Sequence, residues 1–433
     1  GIINLNENDY FCIINNNEVA ITFENKDFDF YKNFTNKSFI LKSNSRNPFY
    51  YCVYIGNVIY NGEKSCYYRL KIILPLCNDP SPKIKSINIA SNGFINFFNV
   101  ETRNLKNPLK CSQKELCEEI VTINNKKYSL RAYNDILCTD IKKRKNGMPY
   151  ELNTFVSLAS NEFDLCDLLD IYNWVKNLLM FVTINKYTKI DMFMCLLENG
   201  GYLEPEIIND EGNNYGIDSV LSYSDMKEQG SVFFSNVYNL FIHPRRLYLY
   251  EDGPVHDFDI VMITGTFEDA FNKFVVKTGY KDEMLKIEKG IKKDELIIML
   301  KNHSKKIKKT YKDDFKNAIK VVNDYSSSLK NKLSFIYNAF IKTMKFDEEK
   351  IEKFSFFYNP SILDKRIKDA RNDICHGLES SKIDWRGARN DCIVVQEFIY
   401  FIVLKYYLNC SDSKIRHNLN TAFSFNKEVF SDF

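Results

Sequence analysis

The chain of 433 residues contains no run of 18 consecutive apolar residues, so no segment is long enough to cross a bilayer as a helix. Its first eight residues have neither the basic start nor the apolar stretch of a secretory signal. Its charge is nearly balanced, because 59 Lys and Arg face 56 Asp and Glu, and the net charge of +3 excludes a chain that is basic overall. These absences predict a soluble cytoplasmic protein without a membrane partner, on which any basic surface is local.

Closely spaced cysteines are also missing. The 12 cysteines are scattered, and none forms a C-x-x-C pair or a Cys/His group at zinc spacing. This pattern predicts reduced thiols, no metal and no cofactor.

The composition, 45% hydrophobic and 27% charged, is typical of folded globular domains and excludes a disordered chain.

The first third of the chain has the pattern of an antiparallel β domain. Short β-rich runs are separated by turn residues, and two of the turns, at 15–17 and 124–125, consist of asparagine, which tolerates left-handed backbone. We therefore predict a β-rich N-terminal domain over residues 1–150. Its strands are predicted at 10–14, 18–24, 37–42, 49–60, 65–74, 83–90, 119–124 and 127–133.

Helical patterns dominate after about residue 150. A helix ending near Thr183 belongs to a mixed, mainly helical middle region, which we place at residues 151–300. Over residues 301–433 apolar residues recur at helical spacing, and the predicted final helix, at 388–409, is apolar nearly all round, as a buried bundle helix is. The sequence predicts an α+β, multidomain protein that ends in an all-α helical bundle.

The segment Arg371-Asn372-Asp373-Ile374-Cys375-His376-Gly377 is the strongest candidate for chemistry. It ends a predicted helix, with glycine where a helix C-terminus prefers it. At ~100° per residue, His376 lies roughly 140° from the centre of the apolar sector and Arg371 lies at the edge of that sector. Asn372 precedes His376 by four residues, a spacing at which an amide can orient an imidazole. The apolar sector consists of Ile362, Leu363, Ile367, Ala370 and Ile374.

These residue types suit the cleavage of RNA by its own 2′-hydroxyl. Histidine takes or gives a proton near neutral pH, and arginine stabilises charge on the phosphoryl oxygens. The reaction requires no metal, and the sequence has no carboxylate cluster of the two-magnesium kind. Residues 388–391 repeat the tetrapeptide Ala370–Asp373, but no histidine follows them, so we interpret this copy as structural.

The segment resembles the R-x4-6-H signature of HEPN-domain ribonucleases, including the polar residue after the arginine. The whole-chain plan resembles the ApeA-like anti-phage HEPN proteins, with a β-rich N-terminal domain, a middle region and a C-terminal bundle. The resemblance is specific over residues 320–410. There it rests on Ser328, Leu329, Lys332 and Leu333 and on the run from Arg366 to Gly377.

The resemblance implies a metal-independent endoribonuclease that acts as a homodimer through its HEPN domain. Arg371, Asn372 and His376 of two protomers would form the catalytic cleft. This fits their spacing, since Arg371 and His376 are roughly 7.5 Å apart along one helix and diverge around it. The resemblance further implies an RNA substrate, with tRNA among the candidates, a role in bacterial anti-phage defence by abortive infection, and a phage-derived trigger.

Two other charged segments have competing interpretations. Lys301–Lys320 contains eight lysines and two aspartates, and it is either a solvated helix face or a track for RNA phosphates that includes Lys305, Lys308 and Lys309. His256, Asp257 and Asp259 would ligate a metal only with a further ligand from elsewhere in the chain.

A second class of function remains open. In it the HEPN bundle is non-catalytic and serves for dimerisation or RNA binding, while the N-terminal domain senses a phage component. The Arg371/His376 pair argues against this class, since a scaffold needs neither side chain. A nucleotide-sensing effector of the CRISPR-associated type is disfavoured, because such proteins place a parallel α/β domain before the HEPN domain.

Overall fold

The computed structural model forms two compact units, Gly1–Ile242 and His243–Phe433. No helix among the described residues is long and apolar enough to span a bilayer. The structure describes residues 2–5, 8–15, 18–22, 38–43, 49–60, 65–77, 79–98, 114–138, 150–184, 188–207, 221–241, 257–276, 293–305, 316, 329–346, 358–375 and 385–423.

We number the described strands and helices in chain order. The strands are β1 (Ile2–Leu5), β2 (Asn8–Asn15), β3 (Glu18–Thr22), β4 (Ser38–Lys42), β5 (Phe49–Tyr60), β6 (Ser65–Cys77), β7 (Ile84–Ala90), β8 (Lys114–Ile123), β9 (Lys126–Cys138), β10 (Tyr150–Ala159), β11 (Met192–Leu197), β12 (Tyr202–Leu203) and β13 (Glu206–Ile207). The helices are α1 (Asn92–Phe97), α2 (Asp167–Thr183), α3 (Tyr223–Met226), α4 (Gly230–Phe241), α5 (Asp257–Ala270), α6 (Lys293–Ser304), α7 (Leu329–Met344), α8 (Pro360–Cys375), α9 (Trp385–Ile402) and α10 (Asp412–Phe423). A 3₁₀ segment (Lys227–Gln229) precedes α4, and π-helical segments (Phe271–Val275 and Val403–Tyr407) extend α5 and α9.

The first sheet of the N-terminal unit closes on itself. Its strand order is β13-β6-β3-β2-β1-β4-β5, and β5 also pairs with β6, so the sheet has no free edge at β5. All its pairings are antiparallel. Burial alternates along β4, where Phe39 and Leu41 are buried and Ile40 is exposed, as expected of a strand with one face on a core. In β5 and β6 consecutive residues are buried, at 51–53 and 72–74.

The second sheet has the order β12-β11-β7-β10-β9-β8 and is antiparallel throughout. The turn between β8 and β9 holds Asn124 and Asn125 at φ 46° and 66°, the left-handed conformation that a two-residue hairpin turn requires. Helix α4 covers part of the edge strand β8, because the Ser231 hydroxyl donates to the Ile120 carbonyl (2.7 Å) and the Thr122 amide donates to the Ser235 hydroxyl (3.0 Å).

Helices α2 and α4 enclose an aromatic core in the same unit. Trp174 of α2 is fully buried, and its indole N–H donates to the Phe234 carbonyl of α4 at 2.7 Å. Phe97, Phe181 and Phe233 are also fully buried here. This core holds the two helices together by apolar burial and satisfies the one polar atom of the indole.

The C-terminal unit is helical in its described part, and its core lies between α5, α7, α8, α9 and α10. Helix α9 is buried on almost every side from Val394 onward, as its apolar composition predicts. Phe340 of α7 is central, since its ring lies 5.5 Å from that of Phe398 and 5.4 Å from that of Phe401. The fold is therefore α+β.

The structure departs from the sequence predictions at several elements. Strands continue beyond residue 150, where we predict mainly helices: β10 pairs with β9, and β11 pairs with β7. Helix α10 follows α9, which we predict to be the final helix. Helix α5, which we place in the middle region, packs against α9. Ile362 is 37% exposed, although we predict it in the apolar sector of α8. The three-domain division stays a prediction.

Candidate active site

Helix α8 carries the Arg371-Asn372 pair, and its start is set by local sequence. The Asn359 side-chain oxygen accepts from the backbone amides of Ser361 (3.0 Å) and Ile362 (3.4 Å), and Pro360 occupies the first helical position, where a missing N–H costs nothing. The helix ends at Cys375. The predicted motif therefore begins within α8, four residues before its end, and its His376 lies beyond the helix.

Three apolar residues determine which side of α8 faces the bundle. Leu363, Ile367 and Ala370 recur every three or four residues and are buried. Helix α8 contacts α5, α7 and α9. The rotation of α8 about its axis is thus fixed by the residues immediately before Arg371.

An ion pair fixes α8 against α9. The Arg366 Nε donates to both carboxylate oxygens of Asp391 (3.0 and 2.9 Å), and its Nη2 lies 2.5 Å from Oδ1. The Asp391 side chain is 5% exposed, and that of Arg366 is 24% exposed. Because a forked guanidinium fits a carboxylate in one orientation, the pair adds geometric specificity to the apolar contact.

Asp391 is also the last residue of the repeated tetrapeptide at 388–391. Ala388 is buried, Arg389 is exposed and Asp391 pairs with Arg366, so this copy packs α9 into the bundle. These contacts agree with the structural interpretation of residues 388–391.

The predicted catalytic residues are placed only in part. Arg371 and Asn372 lie near the C-terminal end of α8, but their side chains are outside the described part of the structure, as are His376 and Gly377 entirely. Their mutual geometry stays a prediction.

The predicted RNA-binding lysines are likewise placed in part. Lys305 is exposed directly after α6, and Lys301 in the last turn of α6 is exposed too. Lys308 and Lys309 lie outside the described residues, and so does the predicted helix face that carries Ile307 and Tyr311. Exposure of Lys305 agrees with either interpretation of this segment.

The possible metal ligands His256, Asp257 and Asp259 are described only in part. Asp259 is buried in α5, whereas His256 lies outside the described residues. No group of three or more His, Cys, Asp or Glu side chains in the described ranges is placed to hold a metal ion.

The structure shows two buried contacts of ionisable side chains that the sequence did not predict. Lys332, one of the residues that carry the resemblance, is 2% exposed and pairs with Glu268 of α5 at 2.9 Å. Glu397 of α9 is buried, accepts a hydrogen bond from the Tyr358 hydroxyl, and has its pKa raised to about 8 by burial. The sequence signal for such a residue is a charged side chain at a helical position that otherwise repeats apolar residues. The sequence alone does not show whether that side chain is buried or exposed.

Comparison with protein-family models, with curated proteins and with solved structures finds no match to this chain.

Proposed function

We propose that the chain is a metal-independent endoribonuclease of the HEPN type. The observation that carries the proposal is the position of the Arg371-Asn372 pair near the C-terminal end of α8, on a helix held in a bundle by buried apolar residues and by the Arg366–Asp391 ion pair. A rigid helix end is a suitable support for catalytic groups that must be held in one geometry.

The proposed chemistry uses three side chains. His376 takes the proton from the 2′-hydroxyl of RNA, or gives one to the leaving 5′-oxygen, and Arg371 stabilises the charge that develops on the phosphoryl oxygens. Asn372 orients the imidazole. The 2′-oxygen bonds to phosphorus, the bond from phosphorus to the 5′-oxygen breaks, and the products are a 2′,3′-cyclic phosphate and a 5′-hydroxyl.

The complete site requires two copies of the chain. The sequence spacing of Arg371 and His376 predicts that the two side chains diverge, so we propose a homodimer through the HEPN domain in which both motifs line one cleft. Lys305, Lys308 and Lys309 would guide RNA phosphates to that cleft. Bacterial anti-phage defence by abortive infection, in the cytoplasm and in response to a phage-derived trigger, is the role that the HEPN resemblance suggests.

Cleavage assays with matched variants test the function. Arg371→Ala and His376→Ala should each reduce the cleavage of total cellular RNA by at least about 100-fold, the usual contribution of one acid–base or charge-stabilising group. Arg389→Ala, in the repeated tetrapeptide, and His417→Ala, on the exposed side of α10, should retain the activity. Undiminished cleavage by either motif variant removes that residue from the mechanism.

A further inference from the structure

Helix α6 leaves apolar side chains in water. Positions 296–300 are five consecutive apolar residues, and such a run in a surface helix places apolar side chains on the solvent side as well as on the protein side. Ile298 is 56% exposed and Met299 is 63% exposed. At the described positions 298–303 only Leu300 is half-buried, and the other residues are exposed. The exposed side of α6 therefore has an apolar pair, Ile298 and Met299, at its centre.

The charges of α6 are divided between its two ends. Asp294 and Glu295 stand in the first turn, before the apolar pair. Lys301 stands in the last turn and is exposed, and the exposed Lys305 follows directly after the helix. At ~100° per residue, positions 294, 298 and 301 fall within about 60° of one another. One side of α6 is thus acidic at its start, apolar in the middle and basic at its end.

This order of charges is complementary to a second copy of itself. In an antiparallel pair of helices about a twofold axis, the acidic start of each helix meets the basic end of the other, and the apolar pairs meet at the axis. A parallel pair would bring like charges together at both ends, which is unfavourable. An RNA strand along the helix would meet the lysines favourably, but the acidic first turn would repel its phosphates.

We propose that α6 is a contact surface between two copies of the chain, which pair antiparallel about a twofold axis near Ile298 and Met299. This inference rests on the proposed function, which requires two chains, and it places one of their contacts outside the Arg371/His376 motif. In protein interfaces an apolar centre supplies affinity, and complementary charges around it select the orientation.

The dissociation constant of the dimer tests the contact. It is measured by sedimentation of the full-length protein over a dilution series. Met299→Ser removes one member of the apolar pair, and Ile13→Ser is its control, since Ile13 is 68% exposed in the N-terminal unit. Lys305→Glu reverses the charge at the basic end of α6. The double variant with Asp294→Lys exchanges the two charges and recreates the complementarity.

Met299→Ser should raise the dissociation constant at least about tenfold, as the loss of a central interface side chain does, and Ile13→Ser should leave it unchanged. Lys305→Glu should raise it about fivefold, and the exchanged double variant should restore the wild-type value. The proposal is overturned by a wild-type chain that stays monomeric, by a dimer that Met299→Ser does not weaken, or by a double variant as weak as Lys305→Glu.

RNA cleavage by the same proteins separates this inference from the proposed function. If Met299→Ser dimerises as tightly as the wild type and the wild type cuts RNA, only the α6 contact fails. If the variants dissociate as expected and the wild type never cuts RNA, the nuclease function fails and the contact stands.

Discussion

At the scale of single residues, the environment of Glu397 changes the pKa of its carboxyl group. It is buried in α9, burial raises its pKa to about 8, and the Tyr358 hydroxyl donates to it. Burial also raises the pKa of Tyr358 well above its ordinary value, so the phenol stays protonated and remains the donor. The carboxyl is consequently neutral at physiological pH, unlike an exposed glutamate.

This raised pKa makes the stability of the C-terminal unit depend on pH. The folded state holds a proton on Glu397 that the unfolded chain loses above its pKa of 4.5, so the free energy of unfolding should fall as pH rises from about 4.5 to about 8. Glu397→Gln keeps an acceptor for the Tyr358 hydroxyl and removes the titrating carboxyl. The unfolding free energy of this variant should therefore not fall over this pH range, and it should exceed that of the wild type by at most about 5 kcal/mol at pH 8.5.

Denaturant unfolding at pH 5 and pH 8.5 measures the effect. The stability advantage of Glu397→Gln over wild type should be larger at pH 8.5 than at pH 5, whereas Asp369→Asn, at an exposed position of α8, should show no such growth. An advantage that is equal at both pH values would mean that Glu397 titrates normally in the folded protein.

At the scale of secondary structure elements, sequence patterns located strands β2 to β9 and the long helices α2, α8 and α9, but not β1, β10 to β13 or α10. Strand β5 lies at the predicted residues 49–60, and the hairpin at Asn124-Asn125 forms because asparagine accepts the left-handed backbone. Helix α8 begins at Pro360, directly after Asn359, whose side chain accepts from the first backbone amides. These features depend on local residue preferences, which sequence contains.

Features that depend on distant partners were not predictable in the same way. The pairing of β5 with both β4 and β6, which closes the first sheet, joins strands whose own patterns are unchanged by it. Strand β11 pairs with β7 across more than a hundred residues. At the candidate site, the wheel placed Leu363, Ile367 and Ala370 correctly on the buried side, but Arg366 gave no sign that Asp391 would neutralise it.

The Arg366–Asp391 pair should contribute measurably to the docking of α8 on α9. Because Asp391 is nearly fully buried, Arg366→Ala leaves an unpaired buried carboxylate and should cost about 1–3 kcal/mol of unfolding free energy. The double variant with Asp391→Ala should lose less than the sum of the two single variants, since it leaves no unpaired charge.

The exposed pair between Arg131 and Glu118 is the matched control for this measurement. Both side chains are more than half exposed, so Arg131→Ala should produce no measurable loss of stability. Strictly additive losses at Arg366 and Asp391 would contradict a coupling between the two helices at this point.

At the scale of the whole molecule, the proposed catalytic cleft requires two chains. The sequence has one Arg371/His376 motif, and its spacing predicts that the two side chains diverge, so the proposed cleft should exist only in a homodimer. Sedimentation of the purified protein at the concentrations used for cleavage should give twice the mass of the chain. Full nuclease activity in a demonstrated monomer would refute the shared cleft.

The ends of the RNA fragments test the central claim most directly. The wild-type protein and His376→Ala are incubated with total cellular RNA in EDTA, and the termini of the fragments are mapped. Attack by the 2′-hydroxyl predicts 2′,3′-cyclic phosphate or 3′-phosphate ends with the wild type, none with His376→Ala, and no cleavage of DNA, which lacks that hydroxyl. A strict magnesium requirement with 5′-phosphate ends, or the same fragments from His376→Ala, would contradict it.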